Sequence, residues 1–176
     1  MTIKNKKWIL AVTAAAMLPL VSCLKSEVDD YETWRQTNDA YISAIDQNEY
    51  EKIVPDWAPQ NSVFIKWHND RSLTAGNLVP MSTSTIEMKY ELEDINGTKL
   101  ENSYSLKDSV YTSKPNQNIL GMWIALTNMH VGDSVTMIVP YPSAYGSEMR
   151  ANMKPYTNLI YHAKLKAIKA FEKPNN

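Results

Sequence analysis

Apolar and polar residues recur with two different periods along this chain of 176 residues, and the change of period divides it. Between residues 29 and 53, Trp34, Tyr41, Ile42 and Ile45 fall at helical spacing. Gly and Pro are absent there and Pro55 stands just past the end, which predicts a helix over 29–53. Its apolar stripe is narrow, so it packs by one edge on its own domain or pairs with a second copy. From residue 62 onward the period is two. Val63, Ile65 and Trp67 alternate with their neighbours. Thr85 to Glu93 sets Ile86, Met88, Tyr90 and Leu92 against Glu87, Lys89, Glu91 and Glu93, as a strand with one wet face does. Asn96-Gly97 suits a tight turn, after which Lys99 to Leu106 runs back. Asn118 is placed to cap a short helix reaching about His130, with Ile119, Leu120, Trp123, Leu126 and Met129 apolar and Gly132-Asp133 as its stop. Val135, Met137 and Val139 alternate again, as do Leu159, Tyr161, Ala163 and Leu165. The expected architecture is α+β: an antiparallel sheet of about five strands wrapped on one short helix, with an N-terminal helical extension.

Ahead of this domain, Lys4, Lys6 and Lys7 precede an apolar run from Trp8 to Leu20. A basic stretch, then an apolar one, then small residues is the order of a secretory leader. The run is shorter than the roughly 20 apolar residues a membrane span needs. Leu20-Val21-Ser22-Cys23 resembles a bacterial lipobox, which implies that Cys23, the only cysteine in the chain, is lipidated and becomes the first mature residue. The expected divisions are a leader over 1–22, a tether and helix over 23–60, and a globular domain over 61–176. Losing the leader, with three lysines and no acid, takes the formal net charge from −1 to −4. Dispersed, mildly acidic charge offers no footing for nucleic acid. One cysteine excludes an internal disulfide and a cysteine-ligated metal. The polar, acidic stretch just after Cys23, from Leu24 to Asp30, resembles the segment that marks surface export in some lipoproteins of Bacteroidetes-type bacteria; a solvated linker with carboxylates near a helix N-terminus explains it equally well.

Conventional catalytic motifs are absent: no nucleophile elbow, no phosphate-cradling glycine loop and no His-rich metal spacing. His68, His130 and His162 stand far apart and have structural roles by default. What the sequence does hold is an ordered set of aromatics: Tyr90 on a strand, Trp123 in the short helix, Tyr145 in Ser143-Ala144-Tyr145-Gly146, and Tyr161 on the last strand. Each of the strand and helix aromatics is a core residue when taken singly; Tyr145, in a loop, is the least easily explained by packing.

These residues, with Ile119-Leu120-Gly121-Met122-Trp123, Met129-His130-Val131-Gly132-Asp133 and Val139-Pro140 in the same order, resemble the FKBP-type peptidyl-prolyl isomerases over residues 86–168. The resemblance implies an FKBP-like fold and a bowl for a prolyl ring. In that pattern Trp123 is the floor, Tyr90 and Tyr161 are walls, Tyr145 donates its hydroxyl, and Glu101 completes the catalytic set. Leu100, Ile119, Leu120 and Met153 contact substrate, with the Leu120 N–H donating to a carbonyl. No metal or organic cofactor is implied, and the partners are proline-containing polypeptides.

The chain departs from the family at several points. Leu100-Glu101 stands where Phe-Asp is usual, Met122 where glycine usually precedes the tryptophan, and Met153-Lys154-Pro155-Tyr156 has one proline where two are common. Residues 104–118 align poorly and leave one wall of the bowl unassigned. Three functions stay open: a lipid-anchored isomerase of the cell envelope, expected at the outer membrane on its periplasmic or surface face; a binding module with the same bowl and no turnover; and a structural lipoprotein docking on a larger assembly. A homodimer through the 29–53 helix is compatible with each.

Overall fold

The computed structural model describes residues 20–171, with side chains from Val28 onward. The leader expected over 1–22 lies outside the described residues but for its last three, as does the side chain of Cys23. Helix α1 spans Leu20–Ser43. It is followed by β1 (Glu51–Ile53), β2 (Val63–Trp67), β3 (Thr85–Glu93), β4 (Lys99–Asn102), β5 (Tyr111–Ser113), helix α2 (Leu120–Leu126), β6 (Ser134–Val139) and β7 (Leu159–Ala170).

The strands form one sheet, in the order β1-β2-β6-β7-β3-β4, with every pairing antiparallel. β5 continues the edge that β4 begins, pairing with the other half of β3. Seven strands replace the expected five or so because β1 and β5, of three residues each, are too short for alternation to show. The helix expected over 29–53 ends instead at Ser43. Asp46 stops it: its carboxylate accepts the Asn48 N–H at 2.8 Å and its carbonyl the Tyr50 N–H at 3.0 Å, a local turn that competes with helical bonding. Because α1 begins at Leu20, Asp29 and Asp30 sit inside it rather than at its N-terminus.

Alternation sorts the side chains onto two faces. Ile65, Met88, Met137, Leu159 and Leu165 point inward with α2, fully buried. Such side chains contribute roughly 1.5–3 kcal/mol each when removed from water. The opposite face is wet only in part. Phe64, Ile138 and Ile160 are buried there beneath Tyr41, Ile42 and Ile45, so the apolar stripe of α1 is spent on its own sheet.

Two close approaches fix the short helix. A Cβ at Gly121 would lie 2.3 Å from Val139 Cγ1, inside a side chain that is itself fully buried, so only glycine lets α2 lie on β6. Asn118, expected to cap this helix, does not; Ile119 holds the N-cap position without a side-chain bond. The helix stops at Leu126, short of His130. Behind it, Asp133 is wholly buried and accepts from Thr74 Oγ1 (2.6 Å), the His130 N–H (2.8 Å) and Asn69 Nδ2 (3.0 Å). Burial raises its pKa, but those bonds and the Arg71 charge outweigh burial and hold it below the usual carboxylate value.

Candidate active site

Where α2, β3, β5 and β7 converge, a cavity of about 410 Å³ opens on the inner face of the sheet. Tyr90 and Tyr161 enter from adjacent strands, being inward residues of β3 and β7, with ring centroids 5.6 Å apart. Tyr111 of β5 meets Tyr90 edge to face at 5.5 Å. Tyr145 and Arg150 close the rim, with Ile119 and Met122 beneath.

Several local devices set these positions. Tyr90 lies where β4 stops before β5 begins, and buried Ser103 bridges the gap: its N–H reaches the Tyr90 carbonyl at 2.9 Å and its Oγ accepts the Tyr90 N–H at 3.0 Å. The Tyr90 hydroxyl donates to Glu101 Oε1 in a short hydrogen bond. Tyr111 donates to Asn118 Oδ1 at 3.0 Å, and Asn118 Nδ2 ties back to Lys114 and Ser113. Tyr145 is held by a tight turn in which the Ala144 and Gly146 N–H groups both reach the Tyr141 carbonyl. Gly146 has a φ of +60° there, which favours glycine. The Arg150 guanidinium stacks on the Tyr145 ring at 4.6 Å.

Burial dominates the electrostatics of the site's tyrosines. Burial pushes the Tyr161 phenol far up, and burial followed by the Glu101 hydrogen bond does the same to Tyr90; both are neutral donors at every ordinary pH. Burial raises Tyr145 as well, with Arg150 pulling the other way. The Tyr145 hydroxyl and the Ile119 N–H have no partner among the described residues, so both can donate to a ligand.

Of the expected residues, Tyr90, Glu101, Tyr145, Tyr161 and Ile119 meet around the cavity. Leu100 and Met153 line a second hollow of about 190 Å³ beside it, joined through Glu101, Tyr145 and Arg150. Two expectations require correction. Trp123, the expected floor, does not line the cavity; its ring packs against that of Trp57 at 4.6 Å, and Trp57 is 55% exposed. Met122 is the floor. Successive helical residues are rotated by about 100°, so with Gly121 turned to β6, Met122 faces the bowl and Trp123 turns away. Leu120 is likewise outside the cavity, which Ile119 lines instead, with an N–H that has no partner among the described residues. Gln117, Tyr111 and Arg150 line the cavity without having been expected to, and so does Asn118, which the sequence offered only as a helix cap. Tyr111 and Asn118 supply the wall that residues 104–118 left unassigned, and Tyr111 sits in a strand too short to carry a periodic signal.

The family model of the FKBP-type peptidyl-prolyl cis-trans isomerases matches residues 76–166, just over half of the chain. The chain belongs to that family. Its FKBP-type domain therefore includes β3 to α2, β6 and most of β7. Similar solved structures include the peptidyl-prolyl cis-trans isomerase of Pseudomonas syringae pv. tomato, 19% identical, with a TM-score of 0.60 over 88% of this chain and 98% of that one. FkpA of Escherichia coli is 15% identical with a TM-score of 0.62, over 85% of this chain and 64% of that one. The FKBP domains of wheat FKBP73 are 20% identical with a TM-score of 0.53, over 60% of this chain and 45% of that one. At these identities the likeness establishes the fold, and the first two extend it beyond the 76–166 region. No curated protein matches the sequence. Among the described residues no group of three or more His, Asp or Glu side chains could hold a metal ion, and no helix is long and apolar enough to cross a membrane.

Proposed function

We propose that this chain is a peptidyl-prolyl cis-trans isomerase and folding helper, held at the cell envelope by lipid on Cys23. The observation that carries the enzymatic part is the cavity of about 410 Å³ bounded by four tyrosines. Rotation about an X-Pro bond meets a barrier of roughly 18–20 kcal/mol, sustained by amide resonance. A catalyst need only bind the twisted amide better than the planar one. The twisted carbonyl has lost resonance polarity and tolerates desolvation against the tyrosine rings better than the planar form does. Tyr90, Tyr161 and Tyr111 enclose the prolyl ring over Met122. The Tyr145 hydroxyl and the Ile119 N–H donate to the flanking carbonyls, and Leu100 and Met153 receive a neighbouring side chain. Glu101 acts through Tyr90, whose ring it fixes.

A protease-coupled assay of the purified full chain on an Ala-Leu-Pro-Phe peptide tests this. Acceleration that falls about tenfold in Tyr145→Phe, or roughly 1.4 kcal/mol, is expected. A rate equal to the uncatalysed one leaves the second reading, a proline-binding module without turnover. That reading is favoured by the thioether of Met122 in place of an aromatic floor.

The lipid anchor rests on the lipobox-like Leu20-Val21-Ser22-Cys23. On this reading residues 23–60, with most of α1 and the first strand, link the lipid to a working domain over 61–176 at the outer membrane. Cys23→Ser is expected to move the protein out of the membrane fraction. We propose that the domain acts without pairing through α1, since Tyr41 and Ile42 of that helix already pack against Phe64, Ile138 and Ile160.

A further inference from the structure

Beyond the bowl and the hollow beside it lies a third, of about 240 Å³, which shares Leu100, Asn152 and Met153 with the second. The three run in series, with Glu101, Tyr145 and Arg150 forming the saddle between the first two. Trp34 of α1 walls the third hollow, facing the β3–β4 turn at Asn96 and Thr98. Trp34 lies outside the family region of residues 76–166, so this wall is an addition made by the N-terminal helix.

We propose that this third hollow is a remote subsite for the polypeptide that continues from the proline in the bowl. The inference rests on the reading of the bowl as a prolyl seat. The chemistry of the hollow selects its occupant. Its charges are already spent: the Asp94 carboxylate accepts the Asn96 and Thr98 N–H groups at 2.9 Å each, and Lys154 pairs with Asp30 at 2.8 Å. What remains is neutral. The side-chain amides of Asn96 and Asn152 and the Thr98 hydroxyl have no partner among the described residues. They stand beside the apolar surfaces of Leu100, Met153 and Trp34. Unpaired neutral donors and acceptors next to apolar surface match a peptide backbone with uncharged side chains, not an ion. The Trp34 ring is set in advance, since its Nε1 donates to Thr157 Oγ1 at 2.9 Å. An ordered wall costs little to use, so contact there adds affinity without ordering the protein first.

Binding remote from the reacting bond and equal in ground and transition states lowers KM and leaves kcat alone. The test uses the full chain and three substrates: Ala-Leu-Pro-Phe, and the same peptide extended by four uncharged residues at its amino or its carboxyl end. One extension is expected to lower KM about tenfold at constant kcat, the equivalent of about 1.4 kcal/mol. In Thr98→Trp and Asn152→Trp, which fill the hollow from exposed positions, the ratio of short-peptide to long-peptide KM should fall to about one, while Thr98→Ser keeps it. Each variant's own short-peptide KM is the reference, and a thermal melt confirms folding. If neither extension lowers KM, or the gain survives both tryptophans, the subsite is refuted. If the short peptide is not turned over at all, the isomerase reading falls by itself. The same three peptides titrated calorimetrically then decide the subsite by their dissociation constants.

Discussion

Met122 and Trp123 are adjacent in sequence, and one turn of geometry gives them opposite fates. The resemblance to the isomerase family assigned the floor of the bowl to the tryptophan, and the pattern of apolar residues could not contradict it, because both side chains are large and apolar. The steric limit at Gly121 decides: with that residue pressed against Val139, Met122 faces the bowl. Trp123→Leu should therefore leave kcat/KM within about twofold of wild type, since its ring meets Trp57 outside the cavity. Met122→Ala should lower kcat/KM about tenfold by removing the surface under the prolyl ring. The reverse ranking in the protease-coupled assay would return the floor to Trp123. Tyr90, Tyr145, Tyr161 and Glu101 were legible as site residues only through motif order. Taken alone, a buried strand tyrosine has the same signature whether it packs a core or lines a bowl.

Helix α1 joins the site to the rest of the chain through a buried amide pair. The Asn158 N–H donates to Asn38 Oδ1 at 2.8 Å, and Asn158 Nδ2 donates to the Asn38 carbonyl at 2.7 Å. Asn158 Oδ1 in turn accepts the Tyr141 N–H at 2.9 Å. Both asparagines are wholly buried, and the segment between Tyr141 and Asn158 carries Tyr145, Arg150 and Met153. The helix is thus a brace for the loop that forms the rim of the bowl. Asn38→Ala leaves the Asn158 N–H buried without its partner, a loss of about 1–3 kcal/mol. Thermal melting should drop by several degrees, roughly 2–4 °C per kcal/mol for a domain of this size. Activity should suffer as well, because the loop bearing Tyr145 loosens. An unchanged melting temperature would show that the pair contributes nothing. No periodic signal announced this contact: two asparagines 120 residues apart look like surface residues until the fold brings them together.

The stability of the whole domain has a built-in acid limit. The pKa of Asp133 is depressed in the folded state, as is that of Glu93, the latter through hydrogen bonds from Lys99 and His162. A carboxyl whose pKa is lower folded than unfolded binds more protons in the unfolded chain. Its stabilisation is complete above the unfolded value of about 3.9 and is lost as pH falls through the folded value. The melting temperature should accordingly decline as pH drops below about 4. Asp133→Asn should be less stable at pH 7 and show a shallower decline in acid, because it has no Asp133 proton to take up. Parallel curves for the two proteins would remove Asp133 from the acid transition.

Local periodicity determined the strands. The alternation of Ile86, Met88, Tyr90 and Leu92 set β3 at the bounds the structure has, and the alternations around Met137 and Tyr161 located β6 and β7. A side chain's face along a strand is a local property with a period of two, so composition and spacing are enough to read it. The order of the strands, the stop of α1 at Ser43, the exclusion of Trp123 and the wall supplied by Tyr111 were decided only in three dimensions. Each depends on a contact between residues distant in sequence, or on the space left by a neighbour such as Val139. A cavity is made by the surfaces of several elements at once, and no single element's pattern describes the empty volume between them.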